Sequence, residues 1–209
     1  MKNKLVLLVG FMFLLSITAF AQNEYPTIEI PVGFSFVNVH PNLSPITSFN
    51  VFGGGGGFVY NVTNWVGIKA DFFGYTQGSG LRNQIKNLDL PAFYNVNGNV
   101  FTYMFGPQVK KHSGMFQPFG EALFGAAHTN AYASIISNLQ QVQASGNNNG
   151  FAMEYGGGLD VPIGKNIQIR PVEVDYLYTH FGSNHIAGYS THQNNFKYVA
   201  GLNFTLGGK

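Results

Sequence analysis

The stretch NFKYVAGLNFTL, residues 195–206, decides the fold, because its residues alternate strictly between two kinds of side chain. Mostly large apolar residues occupy every second position: Phe196, Tyr198, Ala200, Leu202, Phe204 and Leu206. The positions between them are polar or small: Lys197, Val199, Gly201, Asn203 and Thr205. Successive side chains of a β-strand point to opposite faces, so this pattern predicts a strand with one apolar face and one polar face.

Seven further segments show a similar alternation, each about ten residues long and separated by clusters of Gly, Asn, Ser and Pro. The eight predicted strands span residues 27–39, 50–60, 65–75, 98–109, 115–127, 151–161, 167–179 and 195–206. The alternation changes phase within 167–179, and Pro171 at the change cannot donate to a strand ladder, so we predict a β-bulge there. The connections are alternately long and short, which is typical of barrels with long extracellular loops and short periplasmic turns.

The charge content determines which face of these strands meets water. Of 209 residues, 45% are hydrophobic and only 10% are charged, whereas about a quarter of an average soluble domain is charged. A soluble, lipocalin-like carrier would carry its many charges on the outside, and a nucleic-acid-binding protein would need a basic face. The sequence therefore predicts an all-β fold, an eight-stranded antiparallel up-and-down transmembrane β-barrel with its apolar face toward lipid.

The N-terminus predicts export. Lys2 and Lys4 precede an apolar run that ends in the sequence AFA, residues 19–21, as in a cleavable signal peptide. The alternative, an anchoring helix, needs about 20 apolar residues. We therefore predict a cleaved signal peptide at residues 1–21 and a barrel domain at 22–209. Loss of the signal peptide lowers the number of basic residues from 11 to nine, which equals the number of acidic residues.

The polar strand faces predict a charged lumen. Ten charges fall on these faces: Glu29, Lys69, Asp71, Glu121, Glu154, Asp160, Arg170, Glu173, Asp175 and Lys197. Eight of them are predicted to form a hydrogen-bonded network that fills the interior: Lys69, Asp71, Glu121, Glu154, Arg170, Glu173, Asp175 and Lys197. Aromatic residues at strand ends are predicted to form a girdle at the headgroup level, among them Trp65, Tyr75, Phe119, Tyr176, Tyr178 and Tyr198.

Several stretches together resemble the OmpA-like, porin-family outer-membrane β-barrels of Gram-negative bacteria. They include GFVYNVTNWVGIKADFFGY (57–75), FAMEYGGGLDVPI (151–163), IQIRPVEVDYLYTHF (167–181) and NNFKYVAGLNFTLG (194–207). The resemblance implies a location in the outer membrane, contact with its lipid, and assembly by the β-barrel insertion machinery. It implies a structural or surface-interaction role, in which the barrel stabilises the envelope or its long loops mediate adhesion.

Three patterns suggest other chemistry. The glycine run 53–57 lacks the Lys-Ser or Lys-Thr of a phosphate-binding loop and is better explained as a strand whose backbone is covered by neighbouring aromatics. His180, His185 and His192 could converge on a metal ion, and a Ser, a His and an acid at the outer rim could form a lipid-modifying enzyme. No Asp or Glu follows Tyr176, so we predict no enzyme, no metal and no cofactor. The other alternative is a small, low-conductance channel and not a diffusion pore, because eight strands leave an interior just wide enough for side chains.

Overall fold

The computed structural model of the chain is a closed β-barrel. It describes residues 25–39, 49–77, 93–137, 140–181 and 192–208. Eight strands are present in these ranges: β1 (Pro26–Val39), β2 (Phe49–Asn61), β3 (Val66–Gln77), β4 (Phe93–Lys110), β5 (Gln117–Ser137), β6 (Gln140–Pro162), β7 (Ile167–Phe181) and β8 (His192–Gly208). Each strand pairs antiparallel with the next, and β1 pairs with β8 to close the barrel. The predicted fold class is confirmed; the signal peptide lies outside the described residues and stays a prediction.

The two faces of the barrel differ as predicted. On β8, Lys197 is fully buried in the interior while the neighbouring Phe196 is 48% exposed on the outside. On β6, Glu154 is buried while Tyr155 is 50% exposed. The exposed apolar side chains form the surface that faces lipid, and closure leaves no strand edge with unpaired N–H and C=O groups. No helix within the described ranges is long and apolar enough to cross a membrane.

Three strands show the largest extensions beyond their predicted spans. β4 begins at Phe93, and β5 and β6 remain paired to Ser137 opposite Gln140, where the sequence predicted a polar loop over residues 128–150. Beyond the lipid, both faces of a strand meet water, so no apolar alternation marks its continuation. The ladder of hydrogen bonds to the neighbouring strand continues all the same.

The predicted bulge lies in β7. Relative to β8, Arg170 pairs with Gly201 and Glu173 with Val199, so β7 has one extra residue over this interval. Both Arg170 and Glu173 are buried in the lumen. The bulge therefore keeps both charged side chains on the inner face across Pro171.

Glycines of β2 make room for large side chains of β3. A Cβ atom on Gly55 would lie 2.1 Å from the carbonyl oxygen of Phe72 and 2.7 Å from Cγ of Phe73. A Cβ on Gly53 would lie 2.7 Å from Cδ1 of Tyr75. This close approach explains the glycine run structurally.

The interior has two layers of different chemistry. Charged and amide side chains fill its central and periplasmic parts, while apolar side chains lie toward the extracellular ends of the strands. The apolar layer contains Val37, Val39, Val51, Phe73, Tyr75, Met104, Leu123, Ala127, Ala152 and Leu177, and Val199 packs against it from the level of Glu173. The polar lumen expected from the sequence therefore extends over only part of the barrel.

Candidate functional site: the charged lumen

The lumen holds every carboxylate of the described part of the chain. These seven are Glu29, Asp71, Glu121, Glu154, Asp160, Glu173 and Asp175, all of them buried. Four buried cationic side chains face them: Lys69, Lys110, Arg170 and Lys197. Buried charges are tolerated only where they are paired and hydrogen-bonded, so the geometry of these pairs determines whether the barrel is stable.

Two lysines form the centre of the first group, the central cluster, which comprises Lys69, Asp71, Glu121, Glu154, Glu173, Asp175 and Lys197. The Lys197 Nζ donates to Glu154 Oε1 at 2.6 Å and to Asp71 Oδ2 at 3.2 Å. The Lys69 Nζ donates to Glu121 Oε1 at 2.7 Å. Lys197 on β8 thereby connects to β6 and β3, and Lys69 on β3 connects to β5, so both lysines link strands that are not neighbours in the barrel.

Arg170 joins the central cluster to the periplasmic end of the lumen. Its Nε and Nη2 donate to the two oxygens of Asp160 at 2.8 and 3.0 Å, which is a bidentate pair. Its Nη1 donates to Glu173 Oε2 at 2.6 Å. The guanidinium also lies over the ring of Phe119, with Cζ 4.1 Å from the ring centroid.

A second group, the periplasmic cluster, comprises Glu29, Asn61, Lys110, His112, Asp160, Gln168 and Asn203. The Lys110 Nζ donates to Glu29, to Asp160 Oδ2 at 2.6 Å and to Gln168 Oε1 at 3.0 Å. Asn203 Nδ2 donates to Asp160 Oδ2 at 3.1 Å. These contacts close the lumen at its periplasmic end.

The central cluster has more acid than base. Carboxylate oxygens of Glu121, Glu154, Glu173 and Asp175 lie within 4.8 Å of one another. Both oxygens of Asp175 and one each of Glu154 and Glu173 are buried without a hydrogen-bond partner. Lys197 Nζ approaches Asp175 Oδ2 at 3.5 Å, so this lysine is the main compensation for several negative charges.

His112 connects two periplasmic turns to the lumen. Its Nδ1 donates to the carbonyl oxygen of Asn64 at 2.7 Å, and its Nε2 lies 2.8 Å from Glu29 Oε1. We expect His112→Ala to lower the free energy of unfolding by about 1–3 kcal/mol, because a buried carboxylate loses a partner. Urea titration followed by the fluorescence of Trp65, the single tryptophan, measures this loss.

The neighbouring Lys111 supplies the control for His112. Its side chain is exposed, and its contact with β5 is a backbone N–H donating to the Pro118 carbonyl oxygen at 3.0 Å. Lys111→Ala should leave the unfolding midpoint unchanged. Equal midpoints for His112→Ala and the wild type would show that the connection contributes nothing.

Two residues predicted to belong to the aromatic girdle point into the barrel and not toward lipid. Tyr75 and Phe119 are 4% and 7% exposed and lie inside the barrel. Tyr75 has the same strand parity as Lys69 and Asp71, and its hydroxyl is 3.4 Å from Ser35 Oγ. Strand parity, which fixes the face, overrides the tendency of aromatic side chains to meet lipid.

The remaining girdle residues lie on the outer face. Trp65 is 70% exposed in the turn before β3, and Tyr198 is 42% exposed. Tyr176 is half-buried between Tyr155 and Phe196, with ring centroids 5.1 and 5.8 Å away. Their role at the headgroup level stays a prediction.

Sequence reasoning placed Lys110 in a turn and assigned no role to His112. Lys110 lies two positions after the buried Gln108, so extending the strand alternation by one step would have found it. His112 lies beyond the end of β4, and no periodic signal marks it. His185, the two serines of the same loop, Ser183 and Ser190, and residues 78–92 of the predicted polar loop 77–97 lie outside the described residues.

A small void lies beside the central cluster. A void of about 10 Å³ lies between Lys69, Asp71, Phe73, Arg170 and Glu173. That is roughly the room that one water molecule needs. A void of this size does not admit a solute.

Comparisons with known proteins agree with this architecture. The family model described as outer membrane protein beta-barrel domain matches residues 7–204. Among solved structures, Ail of Yersinia pestis is similar with a TM-score of 0.53 and 17% identity, over 86% of this chain and 99% of that chain. A second structure, Ail of Yersinia pestis in complex with the heparin analogue sucrose octasulfate, has a TM-score of 0.50 and 16% identity, over 85% of this chain and 97% of that chain.

OprG from Pseudomonas aeruginosa gives a TM-score of 0.48 and 14% identity, over 88% of this chain and 98% of that chain. No curated protein matches the sequence.

Proposed function

This chain belongs to the family of outer-membrane β-barrel domains, and from that premise we propose that it is a closed, non-conducting barrel that stabilises the envelope and displays a long hairpin. The protein is located in the outer membrane of a Gram-negative bacterium, with lipid around its apolar face. We also infer that the β-barrel insertion machinery assembles it, as the family implies.

The filled lumen is the observation that carries the non-conducting role. Along the barrel axis, the periplasmic cluster is followed by the central cluster. The apolar layer, which includes Phe73, Met104, Leu123 and Leu177, follows toward the extracellular end. An ion would have to break paired charges and then cross an apolar layer. Both steps are costly.

Planar-bilayer recording tests this role. The purified barrel is expected to produce no stable conductance steps, whereas a 16-stranded porin in the same membrane produces large ones, because that many strands leave an aqueous channel. Large, stable steps from this chain would contradict a filled lumen and favour the channel alternative.

The described carboxylates also argue against the enzyme alternative. All seven lie within the lumen, so the described part of the chain offers no acid to a Ser and a His at the outer rim. We therefore propose a role in binding and envelope structure and no catalysis.

The extended hairpin of β5 and β6 supports the surface-interaction role. These strands have 21 and 23 residues, whereas about 9–11 residues of a tilted strand cross a membrane. The excess lies at the extracellular end, where the pairing continues to Ser137 opposite Gln140. The hairpin therefore projects well beyond the lipid.

The composition of the hairpin restricts its ligands. Residues 128–150 contain no Asp, Glu, Lys or Arg and are rich in Asn, Gln and Ser. A polyanion needs basic side chains for recognition, so the heparin analogue bound by Ail is a poor model for this hairpin. We propose that it binds neutral glycans through hydrogen bonds.

Shortening the hairpin tests this proposal. Ala131 pairs with Gly146, so residues 132–145 can be replaced by an Asn-Gly turn that suits a two-residue hairpin. The variant should keep the heat-modifiable gel migration of a folded barrel and lose attachment to an array of neutral glycans. Unchanged attachment, or retention of the wild type on heparin at physiological salt, would contradict the proposed ligand class.

A further inference from the structure

Two histidines face each other across the last described pair of β7 and β8. His180 pairs with His192 in the register of the two strands, and both side chains are exposed. Their rings are nearly parallel, at 15°, with centroids 5.5 Å apart and Nδ1 atoms 3.3 Å apart. Because the nitrogens are much closer together than the centroids, the Nδ1 edges of the rings point toward each other.

The distance of 3.3 Å between the two Nδ1 atoms matches the distance between two ligand atoms of one zinc ion. Zinc binds imidazole nitrogen at about 2.0–2.1 Å with tetrahedral geometry, which places two nitrogens about 3.3 Å apart. In a square-planar copper site, adjacent ligands at a similar bond length would lie about 2.9 Å apart. The observed distance therefore fits tetrahedral zinc better.

Against the prediction of no metal made from the sequence, we propose that His180 and His192 form a zinc site at the outer rim, each contributing Nδ1, with water completing the coordination. Because the two strands are paired, His180 and His192 are already opposite each other, and little conformational entropy is lost in bringing the two ligands together. Each ring has only to turn by about 35° for its lone pair to point at a shared tetrahedral ion.

The position of the pair makes it accessible to ions. Both histidines lie on the outer face. His180 is four residues after Tyr176 on β7, and His192 is four residues before Phe196 on β8. At about 3.3 Å per residue and the tilt of such strands, that is roughly 10 Å farther out. The site therefore lies among headgroups and water, above the aromatic side chains.

The competing explanation is a direct hydrogen bond in which one Nδ1–H donates to the other Nδ1. Calorimetric titration of zinc chloride into the untagged barrel in detergent micelles separates the two. Expected are one zinc per chain and at least a tenfold loss of affinity in His180→Gln and in His192→Gln, because each ligand is needed.

His128→Gln is the matched control. His128 also lies toward the extracellular end of the barrel, but its Nδ1 is 2.6 Å from Asn149 Oδ1 on β6, and its cross-strand partners are Phe101 and Asn149. This variant should bind zinc like the wild type. Heat-modifiable migration on gels verifies that each variant is folded.

A second measurement detects zinc through its effect on stability. Zinc bound to both strands should raise the temperature at which the folded gel band disappears, in the wild type and in His128→Gln but in neither site variant. No zinc binding by the wild type, or binding as tight as that of the wild type in either site variant, would overturn the proposal. Loss of binding in His185→Gln with retention in both site variants would do the same.

Discussion

Replacing Lys197 by Met is expected to lower the free energy of unfolding by about 3–5 kcal/mol, the usual effect of removing one partner from a buried ion pair. The Nζ of Lys197 lies within 4.0 Å of carboxylate oxygens of Asp71, Glu154, Glu173 and Asp175. Methionine fills similar space but leaves these charges uncompensated in an acid-rich interior. Urea titration in phospholipid vesicles, followed by Trp65 fluorescence, measures the change.

Asp175→Asn provides a control, because its expected effect on stability is opposite to that of Lys197→Met. Both oxygens of this carboxylate are buried without a hydrogen-bond partner, and those of Glu121, Glu154 and Glu173 lie close by. Removing its charge keeps the shape and relieves repulsion, so stability should stay equal or rise.

Combining the two substitutions tests the charge balance directly. The double variant should recover part of the loss caused by Lys197→Met, because one uncompensated charge is removed with the lysine. If Asp175→Asn destabilises the barrel as much as Lys197→Met, the charge balance does not explain the interior.

Gly55→Ala is expected to cost at least about 3 kcal/mol or to prevent folding, because overpacking against backbone cannot be relieved by a rotamer change. The new Cβ would lie 2.1 Å from the Phe72 carbonyl oxygen and 2.8 Å from Cα of Phe73. Strands β2 and β3 would have to separate, and the ring of Phe73 would lose its place in the apolar layer. The fraction of heat-modifiable protein after refolding reports the effect.

Gly54→Ala is the matched control, because it makes the same change one residue away on the outer face. There the nearest atom to a new Cβ is the Gly33 carbonyl oxygen at 3.4 Å, an ordinary contact. Both substitutions restrict the unfolded chain equally, so the difference between them isolates the clash. Similar folded fractions for the two variants would show that the inner glycines are not needed for close approach.

Most of the fold could be predicted from the sequence because the strand period leaves a direct trace in it. The alternation in 195–206 identified which residues of β8 face lipid, and Pro171 identified the bulge that keeps Arg170 and Glu173 on one face. The ends of β5 and β6 could not be predicted, because a strand in water on both faces shows no such trace.

The site was harder to predict than the fold. Alternation predicts that Lys197 and Glu154 point inward, but not that they meet at 2.6 Å. Tyr75 and Phe119 were expected to face lipid because of their chemistry, and the structure places them inside. Lys110 lies one step of the alternation beyond the predicted end of its strand, and His112 lies in a turn, where periodicity no longer applies.

The sequence by itself determined which side chains within the strands face the lumen, because the backbone of a strand turns successive residues to opposite faces whatever surrounds it. Only the tertiary structure decided which charges pair, since the register of β1 against β8 and the stagger of the closed sheet bring Lys197 to Asp71, 126 residues away in the chain. Closure is a property of all eight strands together, so no single segment contains that information.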